Sequence, residues 1–118
     1  MHAIHIIGQI LFGGYFAWSG LNHFRNYKML TGYTASMKVP SPGLAVTVSG
    51  LLLLLGGLGI LFHVYVNISL VLVIIFLVPV TIIMHSFWKH TDPTMKMNNY
   101  INFSKNIALI GAALLLMY

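Results

Sequence analysis

Imidazole, ammonium and carboxamide are the reactive chemistry this chain carries. Six histidines and six Lys/Arg stand beside a single carboxylate, Asp92, and cysteine is absent, so disulfides, thiolate metal sites and sulfur nucleophiles are excluded within it. The informative polar residues fall in three short strings: Asn22-His23-Phe24, His85-Ser86-Phe87-Trp88 and Asn102-Phe103-Ser104-Lys105-Asn106. Asn102, Lys105 and Asn106 are spaced i, i+3 and i+4 and share one helix face, which His23 and His85 can meet if the three strings lie at one depth. Such a cluster is a polar pocket able to hold a quinone carbonyl, an anion or a lipid headgroup, and its histidines titrate near neutral pH and can relay a proton. A plainer reading stands beside it. His23, His85, Trp88 and Lys105 anchor the chain at a membrane interface, while Asn102 or Ser104 caps a helix.

Metal and haem chemistry is not expected. His23 and His85 are the candidate ligands, but His2, His5 and His63 belong to the opposite face, and no two histidines near the inner edge are spaced i, i+4, His85 and His90 being five apart. A proton-driven multidrug antiporter is disfavoured too, because no membrane carboxylate is present to exchange a proton for a cation.

The elements that position these residues follow from composition. The chain is 58% hydrophobic and only 6% charged, with a mean hydropathy of +0.89. Soluble domains carry roughly a quarter charged residues, so a water-soluble monomer is ruled out. Apolar runs at about 3–21, 44–62, 64–85 and 101–117 each approach the roughly 20 residues a helix needs to cross about 30 Å of hydrocarbon. The reading is an all-α membrane protein, one up-down-up-down four-helix bundle over 1–118. The first run lacks a basic leader and a small-x-small cleavage site, so it reads as a retained helix and not a secretion signal. Pro79 should kink the third helix about two turns before its polar end, because it lacks an N–H and crowds the Ile75 carbonyl.

The net charge of +5 reads as a topology signal, not as a nucleic-acid surface. Arg25, Lys28 and Lys38 fall between the first two helices, and Lys89, Lys96 and Lys105 lie between or at the edges of the last two. The positive-inside rule then places loops 22–43 and 86–100 in the cytoplasm and both termini outside. Loop 22–43 is either an interfacial segment ended by Pro40 and Pro42 or a flexible amphiphilic loop. Asp92-Pro93-Thr94 is a turn or helix-start signal. Gly13 and Ala17, and Ser104, Ala108 and Ala112, form small-residue ridges that let helices approach. Four short helices bury little surface, so a homo-oligomer or a larger membrane complex is expected.

His85-Ser86-Phe87-Trp88, the string Asn102-Phe103-Ser104-Lys105-Asn106-Ile107-Ala108-Leu109 and the small, apolar tail at 111–116 resemble the H-x-F-W and N-F-x-K-N-L-A signature of the DoxX family. Phe16-Ala17-Trp18-Ser19-Gly20-Leu21, with His23 after it, is similar to that family's first-helix ending, and Leu55-Gly56-Gly57-Leu58-Gly59 to its glycine-rich second helix. Family members commonly carry a glutamate early in that second helix, where Ser49 stands here. The resemblance implies a small integral membrane protein, and the family includes a quinone-linked subunit of thiosulfate oxidation and members associated with redox-stress complexes.

Three functions compete. In the first, the chain is a quinone-interacting subunit of a membrane oxidoreductase: His85 donates to a quinone carbonyl or relays its proton, Lys105 stabilises developing negative charge, and His23, Asn102 and Asn106 complete the pocket. No dinucleotide or flavin fingerprint is present, so a partner would supply the electrons. In the second, it is a non-catalytic assembly subunit. In the third, it is a small transporter or lipid-binding protein.

Overall fold

The computed structural model describes residues 2–117, with the His2 side chain left aside; expectations for Met1, Tyr118 and the His2 side chain lie outside the described residues. Every regular element among the described residues is a helix: α1 (His2–Arg25), α2 (Tyr27–Ser36), α3 (Pro42–Leu61), α4 (Val66–Met84), a 3₁₀ turn (Phe87–Lys89) and α5 (Pro93–Leu116). Three stretches are long and apolar enough to cross a membrane: Ala3–Arg25, Pro42–Leu61 and Val66–Lys89. Five helices therefore replace the four expected. The fifth is α2, which turns loop 22–43 into an ordered segment lying against α3.

Packing runs in sequence, α1 on α3, α3 on α4 and α4 on α5. The core is Phe16, Leu53, Ile60, Leu70, Val73, Leu77 and Ala113. Outward faces are equally apolar, with Ile7 and Leu11 on α1, Leu51 and Leu55 on α3, and Ile68 and Ile75 on α4 all exposed, a surface suited to hydrocarbon and not to water. The long dimension is 46 Å, about a bilayer with its headgroups.

The closest joint is between α1 and α3, and glycine makes it. A Cβ on Gly13 would stand 2.6 Å from the Leu61 nitrogen, and on Gly57 or Gly20 it would collide with the backbone of Ala17 or Leu54. The expected ridge of Gly13 and Ala17 is thus a backbone contact inside the chain. The turn into α4 is tight, with His63 and Tyr65 in the left-handed region at φ 57° and 47°.

One expectation needs correction. Hydropathy placed the last helix at about 101–117, yet α5 starts at Pro93. Pro93 supplies a preset φ in the first turn, and the polar stretch behind it is absorbed by the helix itself: the Asn99 amide donates to the Met95 carbonyl at 2.9 Å and the Asn102 amide to the Asn98 carbonyl at 3.0 Å. Helix α4 is assigned as one helix, Val66–Met84, with Pro79 inside it.

Candidate functional site: a two-imidazole cavity

At the end of the bundle where α1 stops and α4 stops, a cavity of about 460 Å³ opens among α1, α2, α3 and α4, a size typical of small-ligand sites. Its walls are mostly apolar, including Val46, Leu52, Phe76 and Pro79, and its polar lining comprises His23, His85, Thr34, Ser49 and Tyr33. The last turn of α1 carries His23, and Gly50 of α3 makes room for it: a Cβ there would lie 2.9 Å from the His23 Cβ. His85 ends α4 as its C-cap.

Hydrogen bonds fix what each imidazole offers. The Nδ1 of His23 lies 2.8 Å from the Ser19 carbonyl oxygen; a carbonyl only accepts, so Nδ1 carries the proton. His85 Nδ1 lies 3.3 Å from Asn99 Oδ1. The Asn99 amide nitrogen already donates to Met95, which orients its oxygen toward the histidine and makes Nδ1 of His85 the donor as well. In the neutral form both rings therefore keep Nε2 as a free lone pair, an acceptor. His23 is further braced edge-on by Phe76, with ring centroids 5.8 Å apart. Pro79 leaves the Ile75 carbonyl without its helical donor, and both residues line the same cavity.

The five residues singled out from sequence divide into two groups. His23 and His85 share the cavity, whereas no residue of α5 lines it among the described residues. Asn106 is buried, and the Asn102 amide is spent on its own helix. Lys105 sits not at the opening of the last helix but at its middle, where its ammonium donates to the Tyr15 hydroxyl at 3.3 Å and lies 5.8 Å from that ring. Sequence spacing missed Asn99, which orients His85. Its signal was its place fourteen residues after His85 on the next helix, legible only once α5 is known to begin at Pro93. Ser49, standing where the resemblance implies a carboxylate, is in the cavity wall.

Comparison with known proteins adds one positive finding. The DoxX family model matches residues 5–86, which run from α1 through α4 to the residue after His85. Neither the curated proteins nor the solved structures contain a significant match to the chain. The matched stretch includes Phe16 to Leu21, Leu55 to Gly59 and both cavity histidines, while the Asn102 to Leu109 string lies beyond it. With the match covering well over half the sequence and three helices apolar enough to span, this chain belongs to the DoxX family of membrane proteins.

Proposed function

We propose that this protein is a quinol-binding subunit of a membrane oxidoreductase, with the two-imidazole cavity as its site. The observation that carries the reading is that His23 and His85 line one apolar cavity with both Nδ1 atoms already bonded. Two Nε2 acceptors face a ligand that must bring donors. A hydroquinone brings two hydroxyls on an apolar ring, whereas its oxidised form offers only carbonyl acceptors and matches neutral imidazoles poorly. Oxidation of a hydroquinone releases two electrons and two protons; the Nε2 atoms accept the protons as they leave the hydroxyls, and a redox centre of a partner subunit takes the electrons.

In this reading α5 crosses the bilayer as a fourth span, α2 lies along the inner headgroups, and the positive-inside rule puts Arg25, Lys28, Lys38, Lys89 and Lys96 on the cytoplasmic side with both termini outside. The cavity then opens at the inner leaflet. An assembly role is the second reading, supported by Ser104 and Ala108 facing outward from α5 and away from the bundle.

Titrating decylubiquinol and decylubiquinone into the purified protein in nanodiscs, with Trp fluorescence as the readout, tests the site. The quinol should bind about tenfold tighter than the quinone, the worth of one well-made hydrogen bond, and His85→Phe should remove that preference. Equal affinity for both forms, or an unchanged preference in His85→Phe and His23→Phe, sinks the proposal.

A further inference from the structure

The six basic residues do not behave alike. Lys105 stands nine residues beyond Lys96, which the positive-inside reading puts at the inner surface, and eleven before Leu116, about 14 Å from that surface at 1.5 Å per residue. Its depth is fixed independently by Tyr15, which is thirteen residues past His2 and ten before Arg25 on α1. A lysine side chain reaches only about 6 Å, so its head cannot snorkel fully to either interface.

An ammonium at that depth is costly unless paired. Tyr15 takes one of its three N–H groups and offers a ring face, but a phenol brings no negative charge. The chain's one acidic residue, Asp92, stands at the N-cap position of α5, thirteen residues and about 20 Å away. A second copy lacks a carboxylate at the depth of Lys105 for the same reason. The surroundings are open as well. Lys105, Ser104, Ala108 and Gly111 are exposed on the same side of α5, and a Cβ on Gly111 would meet nothing within 4 Å.

We infer that the Lys105 face of α5 docks a transmembrane helix of a different chain, one bearing a carboxylate near mid-bilayer that pairs with Lys105 while Ser104, Ala108 and Gly111 admit its backbone. The inference rests on α5 spanning the membrane and is independent of the quinol site. Its test uses a Leu/Ala helix of 22 residues with one central Glu, its Gln counterpart, and the full-length protein in phosphatidylcholine vesicles, with association read by energy transfer. The Glu peptide should bind at least about tenfold tighter than the Gln peptide, the worth of a charge-assisted hydrogen bond. Lys105→Met should abolish that preference and Lys105→Arg retain it. Equal binding of the two peptides, or a preference that survives Lys105→Met, overturns the inference. Anionic vesicles that erase the preference also overturn it, by showing that a lipid phosphate meets Lys105. A cysteine at 105 that reacts with aqueous maleimide in intact vesicles would instead overturn the spanning of α5, leaving quinol binding as a separate result.

Discussion

Helix α1 has two long sides that are joined by opposite means. Toward α3, Gly13, Gly20 and Gly57 bring backbones together so closely that no Cβ fits. Toward α5 the polar connection is the Tyr15 hydroxyl on the Lys105 ammonium, and Gly8 and Gly111 have open space beside them. The same residue type therefore serves two purposes. On one side it removes bulk so that dispersion and backbone contact hold the helices, in a solvent where the hydrophobic effect does not separate helix from lipid. On the other it leaves a shallow surface that nothing within the chain fills. The two-imidazole cavity belongs with the tightly joined side, since its His23 is seated at the Gly50 opening of α3.

The largest effect should come from filling that joint. Gly57→Leu puts a side chain into the Ala17 backbone and should cost at least about 3 kcal/mol, or prevent assembly altogether. Gly111→Leu makes the same change on the open side and should leave the isolated protein within about 0.5 kcal/mol of wild type. Unfolding in mixed detergent micelles measures both, and equal destabilisation would erase the distinction between the two sides. Next in size, Asn99→Leu removes the acceptor that orients His85 and should lower the preference for quinol over quinone about tenfold, with little change in fold. Binding of the two decyl ligands reads this directly.

Smaller effects sharpen the picture. Thr81 is buried at 1% exposure with a hydroxyl that has no partner among the described residues, so Thr81→Val, which keeps the shape and discards the unmet polar group, should raise stability by about 1 kcal/mol. A loss instead would mean that the hydroxyl is satisfied by water. Smallest of all, Gly14→Ala meets open space and should stabilise α1 by about 0.5 kcal/mol through helix propensity alone.

Much of this architecture was legible in the residues. Helices α1, α3 and α4 followed from runs of apolar residues long enough for a bilayer, and the family from motifs along them. The start of α5 was not, because a hydropathy window discounts the asparagines of its first half; Asp92-Pro93-Thr94 marked the helix start, and the asparagines then satisfied their amides on their own helix. In the candidate site, His23 and His85 could be picked out as polar groups at helix ends. Their grouping with Asn102, Lys105 and Asn106 assumed a shared depth that an eight-residue earlier start of α5 removed.

Composition and spacing thus determined that the chain is helical, lipid-facing and free of thiol chemistry, since these depend on residue type and period alone. Tertiary structure decided which polar groups meet. The i, i+3, i+4 pattern gives a helix face but not the neighbour it turns toward or the depth at which it sits. Helix register, set by the glycine joint of α1 with α3 and by the true start of α5, brought His85 to Asn99 and Lys105 to Tyr15.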